Sequence, residues 1–115
     1  MLGDPAKKIQ AGEALPSVCS GSYSGGLCSG LFFVDITFAV PFDSIPTITT
    51  AYSRLYEPSG CLQSATDAEK VFATNVTTHG FRLWSGGSPF TGNSCGMTYD
   101  SWWFRAYGMW IATDN

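Results

Sequence analysis

Charge is what this sequence has least of. Only six of its 115 residues are Lys or Arg and nine are Asp or Glu, 13% in all, for a net charge of −3. No basic run occurs, so nucleic acid and anionic membrane surfaces are poor partners. One histidine and no Cys-x-x-Cys spacing exclude the common zinc patterns. No apolar run approaches the length of a membrane-spanning helix. The start, Met1-Leu2-Gly3-Asp4-Pro5, has neither a basic n-region nor an apolar h-region. The expectation is no membrane insertion and no secretory signal in this chain. The glycines lie in Ser-rich loops rather than before a helix, which leaves no phosphate cradle. Asp43, Glu57, Asp67, Glu69 and Asp100 fall in different loops, so no carboxylate pair is set up for glycoside hydrolysis. His79 stands beside Gly80 on a predicted turn, with no evident partner for nucleophilic catalysis. The chain reads as not an enzyme, with no cofactor.

What the chain does have is aromatic residues at 15%, four Trp among them, together with 13 Gly and 6 Pro. That mixture favours a turn-rich β domain over helices or disorder. The length suits one domain, in which roughly two thirds of the unfolded surface can be buried. Residues 1–8 read as a polar lead-in or attachment arm, and residues 9–115 as a single β domain.

Residues 32–48 organise the rest. Val34, Ile36, Phe38 and Val40 fall on one side of an extended chain, and Asp35, Thr37 and Ala39 on the other. Strict period-two alternation in β-prone residues predicts a strand. Pro41 ends it, apolar Phe42 and Ile45 occupy a two-proline turn, and Thr47 begins a second strand. An edge strand is expected over Lys8–Ala14, ending at Gly12. Val71–Val76 and Phe81–Trp84 form a hairpin across Thr77-Thr78-His79-Gly80, where Gly80 can take positive φ. Trp102–Ala112 reads as the last strand. The total is an all-β fold, a six-stranded antiparallel β-sandwich.

Residues 16–30 read as one irregular loop and residues 85–96 as a second, rich in Gly, Ser and Asn. A loop that long is either functional or merely pinned by its cysteines. The four cysteines, Cys19, Cys28, Cys61 and Cys95, allow three pairings. Their loop positions favour Cys19–Cys28 and Cys61–Cys95 over four reduced, buried thiols.

Four segments together resemble the H-type lectin family. Ile9-Gln10-Ala11-Gly12 is similar to that family's Val-Gln-Ser-Gly first strand. Val34 to Phe42, followed by Ile45-Pro46, resembles its Ile-Thr-Phe…Pro-Tyr/Phe…Pro strand and turn. Asn75 to Phe81 resembles its turn ending in Gly-Phe, and Phe104-Arg105-Ala106-Tyr107-Gly108 its closing aromatic-x-Ala-x-Gly strand. They occur in family order from about residue 8 to 112. The resemblance implies a six-stranded sandwich that assembles as a homotrimer. Animal and slime-mould members bind galactose-type sugars, notably N-acetylgalactosamine, and similar domains end phage tail fibres. The family's sugar residues do not carry over. No Trp-His pair follows Trp84, and Ala68, Glu69 and Lys70 stand where an arginine is expected. Residues 14–34 hold no acidic side chain where an aspartate is expected.

A sugar site needs an aromatic surface for the pyranose C–H groups and a few fixed polar groups for its hydroxyls. Trp84, Tyr99, Trp102 and Trp103 offer the first near the second loop. Arg82, Asn93, Asp100 and Arg105 offer the second. Trp102 and Trp103 are neighbours and point to opposite faces of a strand, so one packs and the other faces solvent or a partner. Each tryptophan also has a plain packing role in a small sandwich. The leading expectation is a non-catalytic, lectin-like module that binds a cell-surface glycan. It would act as a homotrimer, at a phage fibre tip or virion surface or outside the cell. The alternative is a structural virion protein that uses the same fold for trimerisation or decoration, with other virion proteins as its partners. Glycan binding requires an exposed Trp or Tyr beside Arg or Asp. The structural alternative requires all four Trp to be buried in the oligomer.

Overall fold

The computed structural model describes residues 9–24, 27–55, 70–86, 89–90, 99–103 and 106–114. Eleven strands form there: β1 (Ile9–Ala14), β2 (Val18–Cys19), β3 (Tyr23–Ser24), β4 (Leu27–Cys28), β5 (Phe32–Thr37), β6 (Thr47–Leu55), β7 (Lys70–Thr74), β8 (Gly80–Gly86), β9 (Pro89–Phe90), β10 (Tyr99–Trp103) and β11 (Ala106–Thr113). A three-stranded sheet, β1-β11-β6, faces a four-stranded sheet, β2-β5-β8-β7. All their pairings are antiparallel. The short strands β3, β4, β9 and β10 make a third sheet. The sandwich therefore has seven strands rather than six. The additional one is β2, two residues paired with Phe32 and Phe33 of β5, too short to register as a period.

Alternation decides what lies between the sheets. Val34 and Ile36 of β5 face Leu83 and Phe81 of β8, their direct cross-strand partners. The opposite sheet contributes Trp110 and Ala112 of β11. Trp110 meets Phe81 edge to face at 5.3 Å and lies 6.0 Å from Phe38. Leu83 is fully buried. Gly108 lets the sheets approach, since a Cβ there would sit 2.7 Å from Val71 Cγ1 and 3.3 Å from Leu83 Cδ2. The buried Ser85 hydroxyl accepts the Ala106 N–H at 3.2 Å and ties β8 to the start of β11.

Both flanks of the sandwich are sewn by single side chains. The Thr50 hydroxyl donates to the Val71 carbonyl at 3.0 Å, joining β6 to β7. On the other flank β5 stops at Thr37, short of Pro41, because the Gln10 amide takes over the backbone there. Gln10 Oε1 accepts the Ala39 N–H at 3.0 Å, and Nε2 donates to the Val40 carbonyl at 2.6 Å. Phe38 remains in the core, whereas Val40 is 54% exposed, against the expected alternation. Phe42 turns inward and Ile45 outward. β1 runs through Gly12 to Ala14. Gln10→Ala removes these bonds, together with a longer one from the Val40 N–H to Oε1 at 3.5 Å, and is expected to lower the unfolding free energy by about 1–2 kcal/mol. Urea titration measures this, and an unchanged midpoint would contradict it.

The first loop is more regular than its composition suggests. Cys19 and Cys28 form a disulfide with a Cα–Cα distance of 5.6 Å. Around it, Cys19-Ser20-Gly21 and Cys28-Ser29-Gly30 make two matching turns. Ser20 N donates to Leu31 O at 3.0 Å, and Leu31 N returns to Ser20 Oγ at 3.1 Å. Ser29 N donates to Ser22 O at 2.9 Å, and Ser22 N returns to Ser29 Oγ at 2.8 Å. Cys61 and Cys95 lie outside the described residues, as do residues 1–8.

Candidate functional site

The outer face of the four-stranded sheet carries an unusual register. Val18, Phe33, Trp84 and Phe72 stand in direct cross-strand line across β2, β5, β8 and β7. Phe33 and Trp84 have ring centroids 5.1 Å apart. Phe72 stacks on Trp84 at 6.0 Å, with the planes 10° apart. Directly opposed aromatic side chains on one sheet face are mutually stabilising. The Trp84 Nε1–H donates to Thr74 Oγ1 at 2.7 Å, so the indole is fixed in orientation. Trp84 is half-buried, and Phe72, on the edge strand, is exposed.

Two residues along, the next row is Asp35, Arg82 and Thr74. Arg82 Nε and Nη2 both donate to Asp35, at 2.8 Å to Oδ1 and 3.2 Å to Oδ2. The guanidinium carbon lies 3.9 Å from the Phe33 ring centroid and 6.0 Å from that of Trp84. A planar cation laid over aromatic rings while forked onto a carboxylate is held by both contacts. The Asp35 carboxylate remains exposed and presents free lone pairs outward. The Arg82 hydrogen bonds hold the Asp35 carboxyl below its ordinary value near 3.8. The same bonds raise Arg82. The pair thus favours ionised Asp35. Its contribution is complete above the ordinary carboxyl value and is lost as pH falls through the lower folded one. An NMR titration of the Asp35 carboxyl carbon is expected to show a midpoint below 3.8, moving up toward it in Arg82→Gln.

Beside this pair lies a shallow cleft of about 240 Å³. Asp35, Thr37, Asn75, His79 and Arg82 contribute its polar rim. The β7–β8 turn shapes that rim. Asn75 takes the left-handed conformation, at φ 54°. Thr77 Oγ1 accepts the His79 and Gly80 N–H groups at 3.1 and 3.2 Å. His79 is an exposed turn residue. Gly80 is needed for close approach to β5, with positive φ falling to Asn75 instead.

The sequence-level candidates divide. Arg82 and Trp84 come together on β8, as two neighbours on one face. Tyr99, Asp100 and Trp102 lie on β10, which pairs with β4 and β9 and belongs to the third sheet. Trp103 is on β10 as well, so the stretch expected as one strand from Trp102 falls on β10 and β11, which belong to different sheets. Asn93 and Arg105 lie outside the described residues. Asp35, Phe33, Phe72 and Thr74 were not singled out by composition or motif. The signal that reveals them is shared spacing: each of three paired strands places a polar residue two positions from an aromatic one.

No family model matches the sequence, and no curated protein matches it. The likeness is in the fold. Discoidin II of Dictyostelium discoideum superposes over 94% of this chain with a TM-score of 0.59 and 16% identity. The tailspike of Pseudomonas phage phi297 aligns over 95% of the chain with a TM-score of 0.49, also at 16% identity. The chain spans 37% of the discoidin II chain and 15% of the tailspike chain. The fold is an antiparallel β-sandwich of the kind found in that part of discoidin II.

That fold leaves two outer faces, and they differ in chemistry. The four-stranded face joins aromatic edges to a fixed ion pair and a hydroxyl- and amide-rimmed cleft. It can accept hydroxyl protons at Asp35, donate from the unshared N–H groups of Arg82, and cover C–H surface with Phe72 and Trp84. No group of three or more His, Cys, Asp or Glu that could hold a metal occurs among the described residues. No helix there is long and apolar enough to cross a membrane.

Proposed function

We propose that this chain is a non-catalytic, lectin-like carbohydrate-recognition module of the H-type, assembled as a homotrimer and displayed on a virion or cell exterior. The observation that carries the reading is the Phe33–Trp84–Phe72 ladder joined to the Asp35–Arg82 pair on one exposed face. Sugars are bound by this combination of apolar surface and oriented charge-assisted hydrogen bonds. The sugar's C–H surface lies across the Trp84 and Phe72 edges, and its hydroxyls reach Asp35, Arg82 and the cleft rim. Trp84 Nε1 already donates to Thr74, so Trp84 contributes surface rather than a hydrogen bond.

Two further features support the reading. The fold likeness to part of discoidin II supports the antiparallel sandwich on which the proposal is built. The Cys19–Cys28 bridge fits an oxidising setting outside the cytosol. The Asp35–Arg82 pair also differs from the residues expected of the family's sugar site, so the preferred sugar is set by this chain's own face.

A glycan-array screen of the folded, disulfide-bonded protein tests the proposal. The expected result is a saturable hit that free monosaccharide competes away. A blank array, on protein shown to be folded and assembled, would contradict sugar recognition and leave a module used for assembly alone.

A further inference from the structure

We infer that Cys19 and Cys28 form a reversible dithiol–disulfide centre, whose two turns hold the sulfurs together in both redox states and whose partner is a dithiol reductant. The inference goes beyond sugar recognition and does not depend on it. A bridge that only staples a loop leaves that loop free once it opens. Here the loop is closed by other means as well. Cys19-Ser20-Gly21 and Cys28-Ser29-Gly30 repeat the same three residues, and their hydrogen bonds repeat with them. Ser20 exchanges two bonds with Leu31, at 3.0 and 3.1 Å, and Ser29 exchanges two with Ser22, at 2.9 and 2.8 Å. The turns also interlock: a Cβ on Gly21 would stand 2.5 Å from Ser29 Oγ, and one on Gly30 2.5 Å from Ser20 Oγ. Each cysteine has a strand partner too, Phe32 for Cys19 and Tyr23 for Cys28. None of these contacts needs the S–S bond.

The atoms around the sulfurs suit the reduced state as well as the oxidised one. The Gly21 N–H donates to Cys19 Sγ and the Gly30 N–H to Cys28 Sγ, each at 3.3 Å. An N–H aimed at sulfur stabilises a thiolate as it leaves. The Ser22 carbonyl oxygen lies 3.4 Å from Cys19 Sγ, and the Leu31 carbonyl oxygen 3.8 Å from Cys28 Sγ. A disulfide sulfur has no proton to give them, but a thiol does. Reduction therefore leaves the buried Cys28 thiol with both a donor and an acceptor. Cys28 is fully buried and Cys19 half-buried, so attack falls on Cys19. A thiolate of the reductant attacks Cys19 Sγ, the S–S bond breaks, and its electron pair leaves on Cys28 Sγ. The reductant's second thiolate then attacks its own sulfur in the mixed disulfide and releases the Cys19 thiolate. The chain gains two electrons, its thiolates take up the two protons of the dithiol, and the reductant departs as a disulfide. In an oxidising setting the centre rests closed.

The full chain, equilibrated with glutathione redox buffers in native buffer and in urea, tests the inference. Free thiols are trapped by alkylation, and peptide mapping reads Cys19 and Cys28 apart from Cys61 and Cys95. Circular dichroism is read on the reduced protein. The expected result is a native chain that opens at Cys19 and Cys28 under excess dithiothreitol and keeps its β spectrum. The effective concentration of the two thiols should be about a hundredfold or more above its value in urea. Ser20→Ala with Ser29→Ala removes both hydroxyl acceptors, and should lower the native value about tenfold or more. A bond that opens only after urea unfolds the chain would overturn the centre. So would a reduced chain that loses its β spectrum, or an effective concentration no higher in native buffer than in urea. A native value unchanged in the folded double variant would overturn the role of the turns. The wild-type comparison decides the matter alone if that variant fails to fold.

Discussion

Gly80→Ala is expected to destabilise the domain by about 3 kcal/mol or more, an overpacking effect at the severe end of its range. Gly80 opens β8 and pairs with Thr37 at the end of β5. A Cβ there would stand 2.0 Å from the Ile36 carbonyl oxygen, 3.1 Å from its carbon and 3.2 Å from the Thr37 Cα. All three neighbours are backbone, so no rotamer change relieves the clash. The strands must separate, and they hold the Thr77 turn at one end and the Asp35–Arg82 pair at the other. Gly80 O also accepts the Thr77 N–H at 2.8 Å, so the turn moves with it. For a domain near this size, each kcal/mol shifts the thermal midpoint by roughly 4–8 °C. Melting followed by circular dichroism should therefore show a drop on the order of 10–20 °C. A drop under about 4 °C would mean the hairpin adapts and does not fix the rim.

Arg82→Ala is expected to weaken sugar binding about ten- to hundredfold while barely moving the melting temperature. The two effects separate because of where Arg82 lies. Exposed ion pairs contribute little to folding, but a forked pair that fixes a ligand-facing carboxylate acts on binding directly. Removing Arg82 frees Asp35 to rotate, lets its carboxyl rise toward the ordinary range, and uncovers Phe33. Arg82→Lys should recover little, since an ammonium can neither fork onto the carboxylate nor lie flat on a ring. Isothermal titration with the strongest glycan from the array measures the change. An affinity within twofold of the wild type would remove the pair from the site.

Much of the sandwich was written in local patterns. Val34 and Ile36, alternating with Asp35 and Thr37, specify β5 because an inward face must be apolar. The pair of strands around Thr77–Gly80 follows from the glycine and the polar turn. Cys19 and Cys28 are close enough in sequence for the intervening turn to bring them together. What could not be read depended on register. Asp35 meets Arg82 only because β5 and β8 pair Ile36 with Phe81, and no local period states that alignment. The aromatic ladder has the same origin, with Phe72 recruited from a third strand. β10 and β11 looked like one strand because Trp102 to Ala112 is aromatic and apolar apart from Arg105, although their partners belong to different sheets. The regular turns of the first loop were hidden because Ser and Gly signal a loop whether or not their hydroxyls close a network. The exposure of Met109 and Ile111 was equally hidden, since apolar residues in a last strand read as core.

The most direct test of the account is a fluorescence titration of wild-type protein, Trp84→Phe and Trp110→Phe with the strongest glycan hit. Trp84 is half-buried on the proposed face, and Trp110 is in the core between the sheets. The account predicts a saturable emission shift in the wild type that persists in folded Trp110→Phe and disappears in Trp84→Phe. A shift that survives Trp84→Phe unchanged would place the sugar elsewhere and contradict the assignment of this face.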